Sequence, residues 1–182
     1  MIYLVVSHHH EARPLISYFQ LKKDHSSHYF EIYEKEDVAL IISGIGKLNT
    51  AVAATHIVSR SQDSRKPLAP NTALINVGIC GSENRDFPLG QMALVNQIMD
   101  HDSGRRFYPD ILISHTLQEA GIETFSHGVR AEEADQISLE LVDMEASGFY
   151  EAASRFLGPH QIHILKVISD YLGEPSITGE YV

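Results

Sequence analysis

Leu141-Val142-Asp143-Met144-Glu145-Ala146-Ser147-Gly148-Phe149-Tyr150 is the stretch on which the reading of this chain turns. Leu141, Val142, Met144, Ala146, Phe149 and, just beyond, Ala152 are spaced as the packing positions of a strand end that feeds a helix. An acidic residue inside such an apolar run loses hydration on folding and needs a partner, from the protein or from a ligand. Further on, Leu165-Lys166-Val167-Ile168-Ser169-Asp170 repeats the device, an apolar strand ending in a carboxylate. Two acids at the ends of buried segments, Glu145 and Asp170, point to a site.

Outward from this stretch, strand and helix patterns alternate. Residues 1–7 read as a strand, and Glu11 to Gln20 as a helix with Pro14 in its first turn, where the missing N–H is harmless. Strands are expected over His28 to Glu34 and Val38 to Ser43. Gly44-Ile45-Gly46 then turns into a helix with Ala51, Val52, Ala54, Ile57 and Val58 on its apolar face. Ser61 to Asn71 reads as a polar surface loop. Thr72 to Val77 is expected as a buried strand, Gln91 to Ile98 as another, Asp110 to Ala120 as a helix and Ile122 to Ser126 as a short strand. Glu145 to Phe156 reads as helix and Ile162 to Ile168 as the last strand. The pattern predicts one α/β domain over residues 1–182, with a largely parallel but mixed and bent sheet. In open sheets of this class ligands gather at the carboxyl ends of strands, near which Gly44, Gly78, Glu145 and Asp170 are expected.

Composition narrows the function. With 182 residues and 43% hydrophobic content the chain can bury a sizeable core. The formal charge of −10, from 14 basic and 24 acidic residues, argues against a nucleic-acid partner, which calls for a basic face. No run approaches the roughly 20 apolar residues of a membrane span. Met1 to Val6 lacks the basic leader of a secretory signal and reads as a first strand. The single cysteine, Cys80, excludes an intrachain disulfide and fits a reducing cytoplasm.

Several polar clusters carry two readings each. Ser43-Gly44-Ile45-Gly46-Lys47 follows a strand and opens a helix; it either brings backbone N–H groups to a ligand or is simply a tight turn, and it lacks the spacing of a P-loop or dinucleotide fingerprint. Asn76-Val77-Gly78-Ile79-Cys80-Gly81-Ser82 is either a flat surface for a ring or sugar, or a bulge. A lone thiol such as Cys80 in an apolar strand is more often packing than nucleophile. His8-His9-His10 invites a metal reading, but adjacent residues of an extended segment point to opposite faces, so no metal is expected there. Glu11 stands beyond the first strand, as a general base or a carboxylate on the helix dipole. Asp100-His101-Asp102 reads as a polar turn rather than an acid/base or metal cluster.

Taken in order, Glu11, Ser43-Gly44-Ile45-Gly46-Lys47, Asn76-Val77-Gly78-Ile79-Cys80-Gly81, Val142-Asp143-Met144-Glu145-Ala146 and Ile168-Ser169-Asp170 resemble the nucleoside phosphorylase / methylthioadenosine–adenosylhomocysteine nucleosidase superfamily. The resemblance implies a three-layer α/β/α sandwich around a mixed, partly barrel-like sheet, and a homo-oligomer, with a dimer favoured. It implies that Asp170 protonates or hydrogen-bonds N7 of a purine leaving group. Glu145 would hold the ribose hydroxyls, Met144 lie against the ribose, Glu11 position a water, and Ile79, Cys80 and Gly81 flank the ribosyl group and base. The aromatic residue that stacks on the base in relatives has a substitute in Phe125. No cofactor is implied, and the partner is a small-molecule nucleoside.

The implied activity is hydrolysis of an N-glycosidic bond, in a purine nucleoside or one with a 5′-thio or other 5′ substituent. Phosphorolysis needs arginines around a phosphate. The segment after the first strand offers Arg13 only, Ser43 to Lys47 offers none, and Arg105 and Arg106 lie in another loop. A phosphate-dependent phosphorylase and a weakly catalytic nucleoside-binding module are the alternatives. The chain departs from the family pattern between Phe125 and Leu141, which is short. It departs again after Asp170, where Tyr171-Leu172-Gly173-Glu174 lacks a second aspartate and Pro175 to Val182 cannot form the usual terminal helix.

Overall fold

The structure is a computed structural model of the chain, described for residues 1–61 and 69–172. Most of the polar loop expected over 61–71, and the expectation of no helix after residue 173, lie outside the described residues.

Strand β1 (Ile2–Val6) is paired in parallel with β4 (Val38–Ile42) on one side and β5 (Ala73–Ser82) on the other. Its central position explains its uninterrupted apolar sequence, because both faces are covered. Tyr3 and Val5 pack toward α2 (Lys47–Ser61), against Ala53, Ala54, Ile57 and Val58. Leu4 and Val6 face α1 (His9–Phe19) and pack with Ala12, Leu15, Ile16 and Phe19. These are the helix–sheet–helix layers. β4 turns back through β3 (Glu31–Lys35) to the short β2 (Lys22–Lys23).

The other half of the sheet closes on itself. β5 also pairs with β9 (Leu141–Asp143) and with β10 (Ile162–Asp170). β10 continues to β6 (Met92–Asp100), β6 to β8 (Gln118–Thr124), and β8 back to β9; the two-residue β7 (Arg106–Phe107) hangs on β6. Strands β5, β10, β6, β8 and β9 thus form a small barrel filled by Ala93, Val95, Ile98, Ile122, Leu141, Ile164 and Ile168. Helix α3 (Ala146–Ala153) packs on the barrel and on α2.

Three local expectations are corrected. Residues 110–117 are irregular rather than helical, and residues 118–120 are already strand: pairing of Ala120 with Val95, inside the barrel, overrides local helical preference. Gly78 lies mid-strand, because β5 runs on to Ser82 to pair with β9 and β10. The strand expected from His28 starts at Glu31, where pairing with Ile42 of β4 begins.

Candidate active site

The carboxyl ends of β1, β5, β9 and β10 meet around a cavity of about 510 Å³. Glu11, Met144, Glu145 and Asp170 line it, together with Ile79, Cys80 and Gly81.

Glu11 sits in the first turn of α1 and is buried. Its Oε2 accepts from Ser7 Oγ at 2.6 Å and from the His8 N–H at 2.9 Å, and its Oε1 accepts from the Ile79 N–H at 3.0 Å. The carboxylate is therefore locked to the strand end and to the middle of β5. Glu145 is the N-cap residue of α3 and also buried. Its Oε1 accepts the Gly46 N–H at 2.9 Å. Thus the turn at residues 43–47, with φ of 84° at Gly44 and 101° at Gly46, holds a site carboxylate in place. Ile45 reaches the cavity wall.

Asp170 is the last residue of β10. The β10–β5 register slips at this point, with Ile168 opposite Cys80 but Asp170 opposite Gly81. The extra residue, Ser169, re-aims the end of the strand. Ser169 Oγ lies 2.6 Å from Asp170 Oδ2, and the Leu172 N–H donates to Oδ1 at 3.0 Å. Gly81 leaves room for this carboxylate: a Cβ there would lie 3.1 Å from both Asp170 Oδ1 and Val142 Cγ2, a tight contact. Glu11 is bonded at Ile79 and Asp170 lies against Gly81, two residues further along β5, so the two carboxylates meet neighbouring points of the same strand.

Two residues to which the sequence analysis gave no role complete the electrostatics. Lys166, 1% exposed in its side chain, places Nζ 2.8 Å from Asp143 Oδ2 and 3.6 Å from Glu145 Oε2. Asp143 also accepts from Thr124 Oγ1 at 2.8 Å and from the Ala146 N–H at 2.8 Å. Burial works against the Lys166 charge, but attraction to Asp143, Glu145 and Glu11 outweighs it and holds the ammonium above the ordinary lysine range. Burial pushes the Glu145 carboxyl up, with Lys166 opposing. The available signal was a lysine inside an apolar strand, where an unpaired charge is too costly to stand.

Cys80 is a wall residue. Burial pushes its thiol well above the ordinary range, and its carbonyl oxygen accepts from Ser169 Oγ at 3.1 Å. Met144 and Ile79 supply apolar wall beside the carboxylates. Phe125 stands elsewhere. It is 2% exposed, packs with Val142 and Leu172, and stacks on His101 with ring centroids 4.0 Å apart, behind the cavity wall. Val142 and Leu172, which pack on it, line the cavity while Phe125 does not, so Phe125 is no stacking surface for a base; His127, Gly128 and Val129 line the cavity instead.

The polar turn after β6 is outside the cavity. Asp100 and Asp102 both accept from Lys47 Nζ, at 2.8 Å and 2.5 Å, and His101 Nδ1 lies 2.6 Å from Glu123 Oε1. Among the described residues no three His, Cys, Asp or Glu side chains converge as a metal site, and no helix is long and apolar enough to cross a membrane.

A sequence profile of the Phosphorylase superfamily matches residues 2–124. The chain belongs to the Phosphorylase superfamily. Within it, a 5′-methylthioadenosine/S-adenosylhomocysteine nucleosidase from Marinomonas sp. is 31% identical over 70 residues, a match that covers 38% of this chain and 27% of that protein. The corresponding nucleosidase from Neisseria meningitidis, solved with methylthio-immucillin-A, superposes with a TM-score of 0.76 at 20% identity, over 93% of this chain and 85% of the other. The futalosine hydrolase of Helicobacter pylori does so with a TM-score of 0.74 at 16% identity, over 93% and 84%. At such identities the superpositions establish the superfamily's α/β fold, with its mixed, partly closed sheet.

Proposed function

We propose that this protein hydrolyses the N-glycosidic bond of a purine nucleoside or a 5′-substituted nucleoside. The observation that carries the reading is that Glu11, Glu145 and Asp170, far apart in sequence, line one cavity whose described wall contains no arginine. Bond cleavage develops positive charge on the sugar and negative charge on the base. Asp170 delivers a proton to the purine as the C1′–N bond breaks and its electrons pass to the base. Glu145 grips the ribose hydroxyls and stabilises the cationic sugar. Glu11 orients a water and takes its proton as the oxygen bonds to C1′, a division of labour that paired carboxylates also use in sugar hydrolysis. The nucleosidase and futalosine hydrolase names of similar proteins support the same reading.

Incubation with methylthioadenosine, adenosylhomocysteine, futalosine and inosine, with and without phosphate, tests it. Base release independent of phosphate is expected. Release that requires phosphate would transfer the assignment to a phosphorylase. Binding without release would leave a nucleoside-binding module.

The exposed apolar residues Ile45, Leu48 and Val52, at and after the start of α2 beside the cavity, support a homodimer, with Leu112 and Ile113 as further apolar surface. Light scattering on the purified protein should give twice the chain mass. A lone buried thiol suits a reducing compartment, and we place the protein in the cytoplasm.

A further inference from the structure

His8-His9-His10 has no part in the reaction above, yet two of its members line the same cavity. Their rings stack, with centroids 5.0 Å apart and planes 12° from parallel. His9 turns outward to Glu31, at 2.7 Å. Parallel stacked rings do not converge their nitrogens on one ion, so the arrangement is unsuited to a metal and presents two imidazole edges side by side.

The position of the pair follows from the sheet. β1, which leads into the histidines, and β10, which ends at Asp170, flank β5 on opposite sides. Asp170 marks the base end, and Glu11 with Glu145 marks the sugar. The histidines follow β1 and line the cavity from that side of β5, opposite the side from which Asp170 enters it. A substituent on the sugar carbon that points away from the base therefore runs toward them.

The bonding supplies a donor. His8 Nδ1 accepts the His10 N–H at 3.3 Å, so the proton of a neutral His8 ring is on Nε2, which remains a donor in either charge state. The ring of His10 makes no hydrogen bond among the described residues. Glu11, which follows the pair in the chain and lines the same cavity, is already bonded by Ser7 Oγ, the His8 N–H and the Ile79 N–H, and Lys166 Nζ lies near it at Gly78.

We infer that His8 and His10 form a specificity subsite that favours a nucleoside whose sugar substituent ends in a carboxylate over one ending in an alkyl group. The inference rests on the nucleoside reading of the cavity. An alkyl end displaces water from the two rings without replacing its hydrogen bonds, whereas a carboxylate replaces them.

The test uses two adenosine derivatives of matched length, the 5′-S-(3-carboxypropyl) and 5′-S-butyl thioethers of 5′-deoxyadenosine. In the unmodified protein kcat/KM should favour the carboxylate by about tenfold, the size expected for a charged hydrogen bond. In His8→Ala/His10→Ala the preference should vanish. His10→Ala alone, which leaves the His8 ring in place, should reduce it, and circular dichroism checks both folds. Equal kcat/KM in the unmodified protein, or a preference unchanged in the double variant, overturns the subsite. If neither compound is cleaved, calorimetric affinities for the same pair decide the subsite, and the hydrolase reading falls only when the four nucleosides above are also left intact. A carboxylate preference lost in the double variant upholds it; equal or absent binding overturns it.

Discussion

At the scale of the residue, the site depends on how each buried charge is matched. Asp170 is aimed by a single extra residue in β10 and seated by the missing Cβ of Gly81. Asp170→Asn keeps the shape and the Leu172 bond but removes the acid. Base release should fall by at least about 100-fold, the usual size of lost general acid catalysis, with an unchanged circular dichroism spectrum; near-normal turnover would remove Asp170 from its role. Lys166→Met is expected to act differently. It leaves Asp143 and Glu145 buried without their cation. Loss of one partner of such a group costs about 3–5 kcal/mol, readable as a lower urea midpoint, whether or not substrate is present.

At the scale of the element, helix–helix contact fixes the approach of the site's walls. α3 opens at Glu145 and meets the start of α2 at Gly148, where a Cβ would stand 2.3 Å from the carbonyl oxygen of Lys47. Backbone cannot yield there as a flexible side chain would. Gly148→Ala should force α2 and α3 apart, lengthen the Gly46–Glu145 bond and lower stability by about 1–3 kcal/mol, a typical cost of overpacking. Denaturant unfolding measures the stability, and a raised KM for any cleaved nucleoside would report the disturbed Glu145. Glu145 and Asp170 at the ends of apolar runs are legible in sequence because a strand pattern that stops at a carboxylate is unusual, whereas Asp143 shows its part only through its bond to Lys166. The helix expected over Asp110 to Ala120 is not formed: residues 110–117 are irregular, and Gln118 to Ala120 pair with β6, a partner that no local pattern announces.

At the scale of the whole molecule, the two halves of the sheet share β5, and a polar tie outside the cavity joins the barrel to the helices. Asp100, at the end of β6, accepts from Lys47 on α2, Ser147 on α3 and Ser103. Burial raises its pKa, but these bonds prevail and hold the carboxyl at about 2, below the usual 3.8. A depressed carboxyl contributes stability above its unfolded pKa and loses it as pH falls through the folded value. About 2 kcal/mol should therefore disappear between roughly pH 4 and pH 2. Thermal unfolding across that range should show a steeper loss in the unmodified protein than in Lys47→Met, whose Asp100 lacks the ammonium.

The sequence by itself determined the class of fold, the strand-to-helix exits and the acids standing at them, because hydrophobic periodicity and the cost of a buried charge are local signals. Only the tertiary structure decided that the sheet closes through β5, that Lys166 is the shared cation, that Phe125 is sealed behind the wall and that two histidines open onto the cavity. Each of these depends on which strands become neighbours, and pairing between residues distant in the chain is set by the packing of the whole core rather than by any short run of residues.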